Sequence, residues 1–224
     1  MPTDPPPCSP RPILIATGNP GKFREISAVL SQAWCAGDAP LVEWRSLSDL
    51  AKDLPEPVED QATFAANATL KARYYSQASG LWTLADDSGL EVDALGGQPG
   101  VYSARYGGAP AGSPRDVVTR ANNRRLIQAL AGVPQEKRAA RFRCALALAD
   151  GNRILTTAEG AVGGQIIDQP RGSNGFGYDP HFFMPDLGKT MAELESDHKN
   201  RISHRGQALQ MMRERLMQLL RRPL

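Results

Sequence analysis

The run Leu81-Trp82-Thr83-Leu84-Ala85 leads straight into Asp86-Asp87-Ser88-Gly89, and no other stretch of the chain restricts the fold as much. A short, mostly apolar run reads as a buried strand. Two adjacent carboxylates where it stops resist joint ionisation unless a cation or strong hydrogen-bond donors hold them. The strand is therefore expected to end at Ala85, where such partners gather, and in open α/β sheets ligands bind at strand ends. A pair of acids in that position suggests Mg²⁺, a hard cation that takes oxygen ligands and usually a substrate phosphate as well.

Strands and helices alternate around this run. Ile13 to Thr17 reads as a second buried strand, ended by Gly18-Asn19-Pro20-Gly21 and Lys22. Phe23, Ile26 and Leu30 then fall at helical spacing. Leu41 to Leu47 reads as a strand, and Asp49 to Asp60, with Pro55 and Pro57, as loop. From about Thr63 to Gln77 a helix is expected, with Phe64, Ala68, Ala72 and Tyr75 in one apolar stripe and Asn67 and Lys71 on a neighbouring face. Leu90 to Leu95 is expected to be a partner strand, and Gly96 to Gly100 loop. Ser113-Pro114 predicts an N-cap followed by proline at the first position of a helix to about Ala131. Ala139 to Leu148 and Arg153 to Val162 read as strands joined near Asp150-Gly151, a hairpin signal. The last helix is expected from Ser203, with Leu209, Met212, Leu216 and Leu219 inward. The pattern predicts an α/β fold with a mixed sheet covered by helices.

The 224 residues suffice for one sizeable α/β domain. Residues 1–11 carry five prolines and no apolar segment, and read as a disordered tail before a single domain over 12–224. With 26 basic and 24 acidic residues, the net charge of +2 argues against a general nucleic-acid binder and for no stable nucleic-acid partner. Arg213, Arg215, Arg221 and Arg222 read as the solvated, dipole-favoured end of the last helix. Cys8, Cys35 and Cys144 form neither a metal-ligand spacing nor a disulfide pattern, which fits a reducing, cytoplasmic location. No apolar run is long enough for a membrane span.

Several constellations could carry chemistry. Thr17-Gly18-Asn19-Pro20-Gly21-Lys22 joins a strand to a helix start, where N–H groups and a lysine can face an anion; a plain strand-to-helix turn explains it as well. Glu59 and Asp60, ahead of Asn67 and Lys71, are either metal ligands or surface acids at a helix entrance. Ser103-Ala104-Arg105 follows the Gly-Pro-Gly loop and accompanies the acidic tetrad. In Gly175-Phe176-Gly177-Tyr178-Asp179-Pro180, glycines flank two aromatics, which suits a stacked base or a turn with the rings packed inward. Lys199 precedes Ser203-His204-Arg205. Basic residues in a first helical turn oppose the dipole, which hints at a compensating ligand. His181 and His198 read as surface or loop residues. Together the acids, the basic residues and the aromatic glycine loop describe a nucleoside triphosphate site.

These residues resemble the inosine triphosphate pyrophosphatase family, the dITP/XTP pyrophosphatases. The likeness runs in order from Ile13 to Leu220: Thr17-Gly18-Asn19 with Lys22, Phe64 to Ala68 with Lys71-Ala72, Ala85 to Leu90, Pro99-Gly100, Ser103 to Arg105, Gly175 to Pro180, and Ser203 to Ala208. The resemblance implies an elongated mixed sheet with a central cleft between two lobes, and a homodimer. It implies Mg²⁺-dependent hydrolysis of ITP, dITP or XTP to the monophosphate and pyrophosphate. By position, Asp87 would activate water and meet the metal, Glu59 would be a second metal ligand, and Ser88 would contact substrate. Thr17, Gly18, Asn19, Pro20, Gly21 and Lys22 would hold phosphates. Phe176, Gly177, Tyr178, Asp179, Lys199, His204 and Arg205 would bind the nucleotide, partly around the base. The family often shows Phe-x-Glu-Asn-Ala in the helix, whereas residue 66 here is alanine, so an acid of some relatives is missing. The alternatives are a Maf-type nucleotide pyrophosphatase with another base preference, or a non-catalytic nucleotide- or RNA-binding regulator.

Overall fold

The computed structural model describes residues 10–30, 35–36, 39–50 and 54–221; most of the expected tail and Arg222 lie outside the described residues. The strands are β1 (Arg11–Ala16), β2 (Cys35–Ala36), β3 (Ala39–Pro40), β4 (Val42–Ser46), β5 (Trp82–Val92), β6 (Ala139–Asp150), β7 (Arg153–Ile166), β8 (Phe182–Met184) and β9 (Lys189–Thr190). The helices are α1 (Pro20–Leu30), α2 (Phe64–Ser79), α3 (Arg115–Ala129), α4 (Ser196–Ile202) and α5 (His204–Arg221). Seven strands form one sheet in the order β4-β1-β5-β6-β7-β8-β9. β1 runs parallel to both β4 and β5, and every other pairing in that sheet is antiparallel. The expected mixed sheet is therefore present, with parallel strands where helices cross over and a hairpin where Asp150-Gly151 turns the chain.

Local chemistry sets the boundaries. Thr63 caps α2 by accepting from Ala66 N–H at 3.2 Å, and Gly80 ends the helix in the left-handed conformation at φ 72°. Ser203 Oγ accepts from Gly206 N–H at 3.1 Å, so Ser203 caps α5 as expected. Three expectations shift. β1 begins at Arg11, whose N–H bonds Leu41 carbonyl at 3.0 Å. α3 begins at Arg115, with Pro114 in extended backbone as its N-cap and no side-chain cap, because Ser113 lies one residue too early to bond the first turn. α4 was not anticipated; only seven residues long, it carries no readable apolar period.

The largest correction concerns the acidic tetrad. The strand does not stop at Ala85: β5 continues through the acids to Val92, and Leu90 and its neighbours belong to the same strand rather than to a partner. What ends at that point is β1, whose last pair with β5 is Ala16 to Ala85. From Asp86 onward β5 keeps its ladder with β6, Asp86 opposite Leu146 and Asp87 opposite Ala145. Its other edge is free of β1, and that is where the acids find partners.

Two apolar clusters sandwich the β1 end of the sheet. Ile13, Ile15, Leu84, Leu146 and Leu148 pack under Leu209, Met212 and Leu216 of α5. On the opposite face Leu14, Ala85, Ala145, Ala147 and Ala149 pack against Phe64, Ala68 and Ala72 of α2. Alternation along β6 assigns large residues to one face and alanines to the other, which lets α2 approach closely. A third cluster lies towards the far end, where Leu90, Val92, Phe142 and Phe182 meet Leu126 and Leu130 at the end of α3. The central cleft opens between the first pair of clusters and the third.

Candidate active site

The cleft has a volume of about 540 Å³, and the residues assigned by the family resemblance line it: the turn 17–22, Glu59, Asp87, Ser88, residues 176–179, Lys199, His204 and Arg205, whereas Asp60 and Arg105 do not. Five segments far apart in sequence meet here: β1 and β5 deliver two of them, Glu59 enters ahead of α2, and α4–α5 and the 172–180 loop close the far side.

The pleat of β5 separates the two acids. Successive side chains point to opposite faces, so Asp86 reaches α1 and α5 while Asp87 reaches α2. Asp86 Oδ2 lies 3.0 Å from Lys22 Nζ and 3.5 Å from Arg205 Nη2. Burial alone would raise its pKa, but Lys22, Arg205 and Lys71 outweigh that and hold it well below the usual carboxylate range. Asp87 Oδ2 accepts from Asn67 Nδ2 at 3.0 Å, and Oδ1 accepts from Ser88 N–H at 3.0 Å. Lys71 Nζ stands 3.8 Å from Asp87 Oδ1 and 2.9 Å from Glu59 Oε1. Burial pushes the Asp87 carboxyl up and the Glu59 charge adds to it, against the pull of Lys71 and Lys22. One acid is thus a fixed anion and its neighbour a readier proton acceptor.

Across the cleft, Lys199 Nζ bonds Asp179 Oδ2 at 2.6 Å and Glu25 Oε1 at 2.8 Å. Arg205 Nη1 pairs with Glu25 Oε2, and Nη2 donates to Ser88 Oγ at 2.7 Å. Both cations lie over the Phe176 ring, at 4.9 and 5.6 Å from its centroid. Asp179 Oδ2 also accepts from Phe176 N–H at 2.8 Å, which fixes the loop that carries the ring. His204 stacks on Phe142 at 4.8 Å. Burial, then the nearby Arg205 and Lys199 charges, hold the His204 pKa well below its ordinary value, so the ring is neutral.

Several expectations change here. The N–H groups of Gly21 and Lys22 do not stand free for an anion, because Asn19 Oδ1 accepts from both, at 2.9 and 3.4 Å; Asn19 is the cap of α1. Compensation for the basic first turn of α5 is internal: His204 is uncharged, and Arg205 has Glu25 and Asp86. Tyr178 is packed inward, its hydroxyl donating to Ser103 carbonyl at 2.8 Å, so of the two loop aromatics only Phe176 offers a cation-faced ring to the cleft. His181, expected at the surface, is 7 % exposed, with Nδ1 2.9 Å from Ile167 carbonyl.

The ion pairs of the cleft link four cations (Lys22, Lys71, Lys199, Arg205) with five carboxylates (Glu25, Glu59, Asp86, Asp87, Asp179), one negative charge in excess. Arg24 and Arg115 also line the cleft outside these pairs, so it is the convergence of Glu59 and Asp87 on the Lys71 ammonium that supplies the oxygen ligands a divalent cation takes. Among the described residues no three Asp, Glu, His or Cys side chains gather as a ready cage, and Ala66 brings no oxygen to the first turn of α2. A two-carboxylate site matches Mg²⁺, which keeps waters and shares substrate phosphates.

Residues 13–215 match the model of the Ham1 family. The chain belongs to that family. It is 47% identical over 197 residues to a protein of Geobacillus kaustophilus named dITP/XTP pyrophosphatase, covering 88% of this chain and 90% of the relative. A protein of the same name from Geobacter sulfurreducens is 47% identical over 204 residues, 91% of this chain and 96% of the relative. Among solved structures, a HAM1 protein from Coxiella burnetii superposes with a TM-score of 0.79 at 34% identity, over 93% of this chain and 99% of that one. A nucleoside-triphosphatase, dITP/XTP pyrophosphatase, from Mycobacterium abscessus gives 0.68 at 40% identity, over 90% and 98%. The family resemblance read from the motifs thus holds across the Ham1 match.

Sequence reasoning missed two participants in this Ham1-family cleft. Glu25 bridges Lys199 and Arg205 from α1; its signal is position, three residues after Lys22 and beside the buried Ile26. Arg115, at the start of α3, donates across the cleft to Gly18 carbonyl at 2.5 Å, and no sequence motif marks it.

Proposed function

We propose that this chain hydrolyses non-standard purine nucleoside triphosphates, dITP, ITP and XTP, to the nucleoside monophosphate and pyrophosphate, with Mg²⁺, as a cytoplasmic homodimer. The observation that carries this reading is the buried Asp87 carboxylate, held by Asn67 and Lys71 beyond the end of β1, in the same cleft as the cation-faced Phe176 ring. The names of the relatives supply the substrate class.

Asp87 orients a water and takes its proton as the water oxygen bonds the α-phosphorus; the α–β bridging P–O bond breaks and pyrophosphate leaves. Glu59 and Asp87 would hold Mg²⁺, which when bound neutralises phosphate charge and acidifies water. Lys22 and Lys71 receive phosphates beside the 17–22 turn, which the Asn19 cap holds in place. Phe176 stacks on the purine ring, and Ser88 contacts the substrate next to Arg205. Arg205 is always protonated and offers N–H donors beside the Phe176 ring. A 6-oxo purine accepts from such donors, whereas a 6-amino edge leaves them unpaired, a mismatch that rejects by up to about 10⁴-fold.

Pyrophosphate release from dITP, XTP, dATP and dGTP with Mg²⁺ tests the reading. The 6-oxo substrates with non-standard bases should turn over and dATP should be poor; equal rates on dITP and dATP would exclude the base assignment.

A further inference from the structure

A triphosphate is a polyanion, and the buried ion-pair set of the cleft has no positive charge to spare. Lys22, Lys71, Lys199 and Arg205 each pair with a carboxylate. Arg115 differs. It is exposed, lines the cleft, and has no carboxylate partner among the described residues. Its neighbour Asp116 is turned to Arg120 at 2.7 Å. The guanidinium instead crosses from α3 to the opposite wall, where Nη2 donates to the Gly18 carbonyl beside Lys22. A guanidinium has five N–H donors in a planar fork, and a neutral carbonyl takes only one of them. Phosphate oxygens accept in pairs and carry charge, so they bind such a fork more strongly than a carbonyl does. Arg24 is the other exposed arginine on the cleft wall, but it belongs to α1, beside the turn itself.

We propose that Arg115 binds the substrate's terminal phosphates, exchanging the Gly18 carbonyl for phosphate oxygens. This rests on the reading of the cleft as a triphosphate site. The terminal phosphates are assigned because Asp87 is buried whereas Arg115 is exposed at the mouth. The chain beyond the cleaved bond then runs outward, towards the rim. Arg115 would thus hold the pyrophosphate portion and leave the monophosphate untouched.

The test compares wild type, Arg115→Ala and Arg115→Lys by calorimetric titration with pyrophosphate and with inosine monophosphate, both with Mg²⁺, together with dITP kinetics. Arg115→Ala should weaken pyrophosphate binding and raise KM for dITP about tenfold, a change of about 1.4 kcal/mol. Monophosphate binding should be unchanged, with Arg115→Lys in between. Unaltered pyrophosphate affinity in Arg115→Ala overturns the proposal, and so does equal weakening of both ligands, which marks a strut between the walls. If wild type binds pyrophosphate through Arg115 yet releases none from dITP, the phosphate assignment stands and the hydrolase reading fails.

Discussion

Asp86 and Asp87 differ by one position and face opposite environments, so the same isosteric change should have opposite consequences in each. Asp87 has a raised pKa: the folded protein holds that proton more tightly than the unfolded chain does. Ionised Asp87 therefore costs stability above its folded pKa, and the cost vanishes as pH falls below the unfolded value. Near neutral pH, Asp87→Asn removes that cost while Glu59 keeps its 2.9 Å pair with Lys71. The variant should be at least as stable as wild type. Turnover of dITP should nevertheless fall by at least about 10²-fold, the lower end of a general-base contribution.

Asp86 carries the reverse sign. Its folded pKa is depressed, so it contributes stability that is present above the unfolded value and lost as pH falls through the folded one. Asp86→Asn leaves Lys22 without its carboxylate in a site where Asp86 is 1 % exposed. Breaking a buried ion pair costs roughly 3–5 kcal/mol, which in a chain of this size lowers Tm on the order of 10 °C. Thermal unfolding followed by circular dichroism at neutral pH, beside a pyrophosphate-release assay, reads both effects. Unchanged Tm in Asp86→Asn, or a Tm loss in Asp87→Asn matching it, would refute the division of roles. Retained turnover in Asp87→Asn would remove it as the base.

The metal assignment predicts that EDTA stops dITP turnover and Mg²⁺ restores it, and that Mg²⁺ raises the Tm of wild type but not of Asp87→Asn. Turnover in excess chelator would refute it. Gly160→Ala tests how β7 supports the site: its Cβ would lie 2.1 Å from His204 carbonyl oxygen and 2.7 Å from Ala208 nitrogen. Neither backbone atom can yield cheaply, so a loss of about 1–3 kcal/mol or more is expected in denaturant unfolding, with a raised KM as the first turn of α5 shifts. Wild-type stability would mean that α5 is not seated on β7 as described.

Legibility in the sequence followed period and spacing. The α2 stripe Phe64, Ala68, Ala72 and Tyr75 and the β6–β7 hairpin were readable because each repeats over enough residues to carry its own signal. The passage of β5 through two carboxylates was not. Hydropathy ends the strand at Ala85, whereas the backbone continues to Val92 because the ladder with β6 is indifferent to side-chain charge. α4 is too short for a period, and Ser113 was a plausible cap displaced by one residue. Within the cleft, ordered motifs located the residues, but their pairing is a tertiary fact. Asn19 reads as a phosphate contact and serves as a helix cap; Glu25 reads as one acid among many and joins Lys199 to Arg205.

Adjacent carboxylates are costly when they share an environment, and β5 avoids this by geometry. A helix would set the two about 100° apart on one surface, and a turn would leave both in solvent. A strand sends them to opposite faces, and the end of β1 at Ala16 leaves the edge beside them uncovered. Each face then meets different helices: Lys22 of α1 and Arg205 of α5 fix Asp86 as an anion, while Asn67 and the shared Lys71 of α2 leave Asp87 a desolvated acceptor. The fixed anion holds Lys22 and Arg205 where the substrate arrives, and the other carboxylate stays available for water. Covering that edge with a longer β1 would improve the sheet and close the cleft, so the shortness of β1 is as much a part of the site as the acids themselves.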